Sequence, residues 1–203
     1  MQITRIEKTG RRCRIWLNDE PAFLLYAGEV RRLKLEEGQE LTDEALAQIK
    51  EEILKKRACL RCLHLLESQD RTEQQLRRKL EEGGCPPDVI DAAIEYVKGY
   101  HYLDDSRYAR MYIDYKGKSK STRQIRQELL RKGVSASEID AAMQEAEPVD
   151  TTRQIRELMR KKGYDPATAD RKEKQRFLQL LLRRGYTYGE IREALDMEEP
   201  DSI

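Results

Sequence analysis

Three glycines, Gly84, Gly133 and Gly185, sit at the same place in a recurring pattern, and a chain that repeats itself at about fifty residues must fold as tandem small modules. Twelve residues before them stand Thr72, Ser121 and Glu173. Eight before are Leu76, Ile125 and Phe177, and four before are Leu80, Leu129 and Leu181. Six after are Ile90, Ile139 and Ile191, and ten after are Ile94, Met143 and Leu195. A capping residue, two large apolar residues four apart and then a glycine describe a short amphipathic helix with an N-cap and a glycine stop. In the third copy Glu173 replaces the cap, so that helix is expected to begin earlier, after Pro166. A second apolar pair four apart gives the next helix.

Ahead of each pair lies a further apolar helical segment: Leu60, Leu63 and Leu66, then Tyr108, Met111 and Tyr112, then Ile155, Leu158 and Met159. Each unit is thus three short helices, too small to be more than marginal alone. Thr151, Ile155, Met159 and Gly163 imitate the first half of the pattern, but Ala169 and Glu173 fail its second half. That stretch reads as the opening helix of the third unit.

The amino-terminal segment differs. Cys13, Ile15 and Leu17 alternate with Arg12, Arg14 and Trp16 at the period of a half-buried strand, and Asn18 to Pro21 supply a turn before Ala22 to Tyr26. This predicts a small β hairpin or meander. A short helix around Glu29 to Leu35 is expected to end at Gly38, and Thr42 or Asp43 to cap a longer one carrying Leu46, Ile49, Ile53 and Leu54. The expected fold is mainly α: a tandem array of three three-helix repeats with a small N-terminal β-hairpin/αβ segment. Its divisions are 1–55, 56–103, 104–148 and 149–203, the last with an acidic tail.

Composition agrees with small modules. Charged and hydrophobic residues each make up 38% of the 203 residues, where an ordinary chain has about 25% charged. The near balance of 39 Lys and Arg against 38 Asp and Glu argues against a protein that is basic throughout. It hides a periodic segregation. The second helix of each unit is basic: Arg77, Arg78 and Lys79; Lys120, Arg123, Arg126, Arg131 and Lys132; Arg171, Lys172, Lys174, Arg176, Arg183 and Arg184. The third is acidic: Asp88, Asp91 and Glu95; Glu138, Asp140 and Glu145; Glu190, Glu193, Asp196 and Glu198. One reading pairs basic with acidic helices inside each unit. The other lines the basic helices along one face, an electropositive groove for a long acidic or phosphate-bearing partner.

Catalytic signatures are missing: the sequence holds no phosphate-binding G-x-x-x-x-G-K-[ST], no G-x-G-x-x-G after a strand, no H-E-x-x-H and no G-x-S-x-G. Cys59, Cys62 and His64 fit neither haem attachment nor a zinc framework, and helical spacing makes the two cysteines small buried residues. The four cysteines read most simply as reduced thiols. His101, between Tyr100 and Tyr102, reads as a turn residue, and Asp104 and Asp105 as the first turn of a helix. Tyr96, Tyr100, Tyr102, Tyr108, Tyr112 and Tyr115 cluster at unit junctions, where rings pack between helices and an exposed subset can stack on bases or anchor a partner. No apolar run suits a signal peptide or membrane span, so a cytoplasmic, monomeric protein without cofactor or metal is expected.

Tyr102-Leu103-Asp104-Asp105 with Arg107-Tyr108-Ala109, then Arg123-Gln124-Ile125-Arg126-Gln127-Glu128-Leu129 and Lys132-Gly133-Val134, resemble the central signature of the RecX family. Thr72-Glu73-Gln74-Gln75-Leu76 with Leu80, and Arg176-Phe177-Leu178 with Arg183-Arg184-Gly185-Tyr186, are similar to that family's outer repeats, so the likeness runs from about residue 57 to 195. The hairpin resembles the extra β segment of longer members. Ser121 departs from the pattern: the family often has glycine there, and a serine suits a helix cap better than a close backbone approach.

The resemblance implies a non-enzymatic regulator of the RecA recombinase that lies in the filament groove. There it limits filament extension, ATP hydrolysis, strand exchange and co-protease activity, and so modulates homologous recombination, DNA repair and the SOS response. Three linked modules touching consecutive protomers would bind far more strongly than one. The residues expected to meet the RecA filament, or single- or double-stranded DNA, are Arg77, Arg78, Lys79, Arg123, Arg126, Arg131, Lys132, Arg171, Lys174, Arg183 and Arg184. Arg123, Arg126, Arg131 and Lys132 are expected to carry the largest share. The alternatives are a stand-alone helical nucleic-acid-binding module and a hydrolase using carboxylates, for which no site is identifiable.

Overall fold

A computed structural model describes residues 1–195. Three strands, β1 (Ile3–Thr9), β2 (Arg12–Leu17) and β3 (Glu20–Tyr26), form an antiparallel meander in the order β1-β2-β3. The β2–β3 turn places Asn18 and Asp19 in the left-handed region (φ 50° and 67°), the twist a two-residue hairpin loop demands. The alternation read from sequence holds: Cys13, Ile15 and Leu17 are buried, and Arg12 and Arg14 face solvent.

Helix α1 (Ala27–Leu33) ends at Lys34 in the left-handed conformation (φ 51°), four residues before the expected stop at Gly38. Lys34 donates its amide to the Arg31 carbonyl, so this turn closes without glycine. Thr42 caps α2 (Asp43–Ile49) as expected, its hydroxyl accepting from the Ala45 amide at 3.2 Å. Helix α2 passes through a π-helical stretch, Lys50–Lys55, directly into α3 (Lys56–Ser68). Residue 55 therefore lies within continuous helix.

Helices α4 (Glu73–Glu81) and α5 (Pro87–Gly99) complete the first repeat. The second is α6 (Asp105–Lys116), α7 (Thr122–Arg131) and α8 (Ala136–Glu145); the third is α9 (Thr151–Lys162), α10 (Arg171–Arg183) and α11 (Tyr188–Leu195). The expected helix starts and stops recur. Thr72 and Ser121 cap α4 and α7, and Asp170 caps α10 three residues before Glu173. Gly84, Gly133 and Gly185 all have positive φ (74°, 92° and 83°), and the residue after each donates its amide to the leucine carbonyl five positions back: Cys85 to Leu80, Val134 to Leu129, Tyr186 to Leu181. This is the six-to-one bond of a glycine-stopped helix.

The opening helices meet the cores largely as expected, through Leu63 and Leu66, Tyr108 and Tyr112, and Ile155, Leu158 and Met159, with two exceptions, Leu60 and Met111. In α3 the buried residues are Ala58, Cys59, Cys62 and Leu65, while Leu60 is 67% exposed; in α6 they are Ala109 and Ile113, while Met111 is 53% exposed. Small residues permit close helix approach, which turns the core stripe away from Leu60 and Met111.

The chain divides into two compact units, Met1–Asp104 and Asp105 onward. In the first, the inner face of the sheet (Ile3, Ile15, Leu25) shares one core with Leu76, Ile94 and Val97 of the first repeat. The second unit holds two small cores, one around Ile125, Leu129 and Ile139 and one around Ile155, Phe177, Leu181 and Ile191.

Candidate functional site

The basic helices α4, α7 and α10 carry the residues singled out in the sequence, and the structure sorts them into two sets. Arg77 is committed within the first repeat: its Nε donates to Glu73 at 2.6 Å and its Nη1 to Asp91 of α5 at 2.6 Å. Both bonds hold its guanidinium charged. Lys98 also reaches Glu73, at 2.5 Å. Burial pushes the Glu73 carboxyl up, but the bonds from Lys98 and Arg77 outweigh it and leave it below the usual range. Arg78 and Lys79 share Glu82, at 3.1 and 2.8 Å.

The same bridge recurs one repeat on. Arg126 of α7 grips Asp140 of α8 with both terminal guanidinium nitrogens, Nη1 and Nη2, seven residues before and seven after Gly133, as Arg77 and Asp91 flank Gly84. In the third copy these positions are Leu178 and Arg192, so the bridge has no counterpart there. Lys120, instead of facing a partner, binds Glu128 at 2.6 Å, and Glu128 also accepts from the Tyr112 hydroxyl at 2.5 Å. Lys132 lies over the rings of Tyr108 and Tyr112, 5.9 and 5.4 Å from their centroids. Pairing inside the units thus holds for Arg77 and Arg126.

Arg123, Arg131, Arg171 and Lys174 form the second set: all are exposed and have no ion-pair partner among the described residues. Arg183 donates from its Nε to the Gln179 carbonyl at 3.3 Å, and Arg184 is half-buried. Arg123 is brought to the turn that carries them, because its Cβ and Cδ lie 3.3 and 3.6 Å from where a side chain on Gly185 would begin.

That contact belongs to a junction between the second and third repeats which sequence reasoning missed. The Ser121 hydroxyl donates to the Arg184 carbonyl at 2.6 Å, and its oxygen lies 2.9 Å from the Cβ position of Gly185. Close approach therefore does occur at the serine, with the glycine on the opposite side. Beside it the buried Gln154 donates to the carbonyls of Gly117 and Lys120 (3.2 Å for the latter) and accepts from the Tyr186 hydroxyl at 2.9 Å. Gln154 is 6% exposed and Tyr186 3%, so these are sheltered bonds joining two modules.

The remaining candidates resolve simply. Cys59 and Cys62 are buried in the first core, and burial pushes the Cys62 thiol up to about 12. His101 sits exposed in a turn with φ 59°. Tyr96, Tyr100 and Tyr102 are exposed and adjoin one another, with centroids 4.9 and 6.1 Å apart. Asp105 opens α6 as expected. No helix among the described residues is long and apolar enough to cross a membrane. The acidic residues Asp196 and Glu198 and the tail lie outside the described residues.

Comparison with known proteins matches three family profiles in order: "RecX, first three-helix domain" over residues 58–96, "RecX, second three-helix domain" over 104–143 and "RecX, third three-helix domain" over 150–195. A protein of Clostridium acetobutylicum named "Regulatory protein RecX" is 30% identical over 201 residues, covering 95% of this chain and 94% of that protein. One of the same name from Vibrio campbellii is 37% identical over 142 residues, covering 68% of this chain and 90% of its own. A crystal structure of regulatory protein RecX superposes with a TM-score of 0.63 at 27% identity, covering 97% of this chain and 99% of the other.

Proposed function

The chain belongs to the RecX family, and from that premise we propose that it regulates the RecA recombinase by binding its filament, acting through contact rather than catalysis. It binds in the filament groove and restrains filament extension, ATP hydrolysis, strand exchange and co-protease activity, and so adjusts recombinational repair and the SOS response. The observation that carries the reading is the presence of all three family domains in order, with exposed cations on the middle one, Arg123 and Arg131, that have no ion-pair partner among the described residues. Three weak contacts on one chain add up through effective concentration, which suits a partner that repeats.

Within the middle repeat the work falls first on Arg123 and Arg131, because Arg126 already has Asp140 and Lys132 lies over the Tyr108 and Tyr112 rings. The Ser121 and Gln154 junction supports the same reading, since it delivers Arg123 and the Arg183–Arg184 turn together.

The test is ATP hydrolysis by preformed RecA filaments on single-stranded DNA, with the protein titrated in at well below one copy per protomer. Inhibition at that ratio is expected, and it should be relieved when Arg123, Arg126, Arg131 and Lys132 are reversed in charge. Absence of inhibition, or inhibition unchanged by the reversal in a folded variant, overturns the reading or the residue assignment respectively.

A further inference from the structure

The amino-terminal unit holds a cationic cleft in which Lys79 is the one basic-helix position named above, the other cations coming from β2 and α3. It is a space of about 430 Å³ bounded by β2, β3, α3 and the end of α4, and its polar lining is Arg12, Tyr26, Arg57, Arg61, Lys79 and Glu82. Arg12 and Tyr26 are cross-strand partners, so their side chains stand on one face of the sheet, and Arg14 follows on that face two residues along β2.

Two of the cations are anchored. Arg57 donates to the Leu24 carbonyl at 3.1 Å and to the Glu29 carboxylate at 2.5 Å, and its guanidinium lies 4.6 Å from the Tyr26 centroid. Lys79 is held by Glu82 at 2.8 Å. The other two, Arg12 and Arg61, are exposed and have no ion-pair partner among the described residues. Four cations against the carboxylates of Glu29 and Glu82 leave two positive charges in a concave site. The helix end adds little opposing charge, because the Leu80 and Glu81 carbonyls already accept from Cys85 and Gly84 at 3.1 and 2.8 Å.

We propose that this cleft binds a single strand of nucleic acid, with Arg12 and Arg61 on its phosphates and the exposed Tyr26 ring as a stacking platform. A lone side-chain carboxylate would leave one of the two cations unmatched, whereas a strand offers a negative charge at every nucleotide. Arg57 stiffens the tyrosine from one side and leaves the ring 43% exposed, the arrangement that base stacking uses. The exposed ring favours a splayed single strand over a duplex, because the bases of a duplex are already stacked on one another and offer no free face to the tyrosine. The site stands apart from the recombinase reading and requires no recombinase.

The test is fluorescence anisotropy of a labelled single-stranded oligothymidine with the full chain across a salt series. Replacing Arg12 and Arg61 by alanine should reduce the slope of log affinity against log salt by about 1.4, at roughly 0.7 per lost single-strand contact. Tyr26→Leu should weaken binding about tenfold with the slope unchanged, the stacking share of one base. Unchanged affinity and slope in an R12A/R61A chain whose circular dichroism and melting match the parent overturn the proposal. So does equally tight binding of poly-glutamate that the same pair abolishes, which would assign the cleft to an acidic protein surface.

Discussion

The Ser121 hydroxyl donates to the Arg184 carbonyl at 2.6 Å while its oxygen accepts from the Gln124 amide at 3.3 Å, so one side chain starts a helix in the second repeat and closes the helix end of the third. Ser121→Ala removes both bonds in a site that is 2% exposed, leaving a buried carbonyl and a helix amide without that partner. The expected cost is about 1–2 kcal/mol, the usual loss for a cap. Chemical denaturation of the parent and S121A checks it. A change within error would mean that water replaces the hydroxyl at no cost.

Gly185 is the other side of that contact. At φ 83°, with Ser121 Oγ 2.9 Å from the Cβ position, Gly185→Ala combines backbone strain with a clash. Gly163 supplies the control: its φ is 62° and nothing lies within 4 Å of its Cβ position. Thermal melting should therefore rank G185A clearly below G163A, although both glycines end helices. Equal melting temperatures would show that the junction yields readily.

Helix limits and repeat register were legible because they depend on neighbours in sequence: Thr72 and Ser121 are caps, and Gly84, Gly133 and Gly185 are left-handed stops, in any context that lets the helix form. The burial phase of α3 was legible in part: Cys59 and Cys62 were expected inside and are buried, and Leu63 and Leu66 pack against the core, but Leu60 is turned out because the small cysteines let the helix pack closer on their side. Gln154 was invisible for another reason. Its partners, Gly117, Lys120 and Tyr186, lie more than thirty residues away and leave no local pattern. The Arg126 to Asp140 bridge was available in principle, since the Arg77 to Asp91 pair repeats it at the same offsets from the glycine. The cleft around Arg12 and Arg61 needed the fold, because its two free cations lie on β2 and α3, far apart in sequence, and only the packed unit brings them to one space.

The two sets of cations should respond differently to mutation. Arg123→Glu with Arg131→Glu alters exposed side chains that have no ion pair among the described residues, so folding stability should move by no more than about 0.5 kcal/mol while filament inhibition is lost. Arg126→Glu meets Asp140 with a like charge, so any loss of inhibition there must be read beside its melting curve. Inhibition retained in R123E/R131E would move the contact to another repeat.

Glu128 gives the second repeat an acid-sensitive point. Burial raises its carboxyl, but the bonds from Lys120 and Tyr112 prevail and hold it below the ordinary value of 4.5. A depressed folded value means that the unfolded chain takes up the proton first, so the stabilisation is complete above about pH 4.5 and is lost as pH falls through the folded value. Glu128→Gln removes the titration. Denaturation midpoints of parent and E128Q should therefore differ most near neutrality and converge as pH drops below 4.5. A gap that stays constant to pH 3 would show that this carboxylate is not the group responsible.

Cys62 reports on the first core. Its side chain is 0% exposed and its thiol is pushed up to about 12 by burial first and by the neighbouring Cys59 and Cys85 thiols second. At pH 8 such a group is thiolate in only about one molecule in ten thousand, and the reagent must also reach it. Labelling at Cys62, followed by peptide mass spectrometry, should thus proceed only through opening of the unit and accelerate with denaturant in step with unfolding. The half-buried Cys85, whose thiol burial also raises, lies at the edge of the cleft beside Arg57 and should react before Cys62 under native conditions. If Cys62 were modified as fast as Cys85 without denaturant, α3 would have to open separately from the sheet, against the single core that joins them.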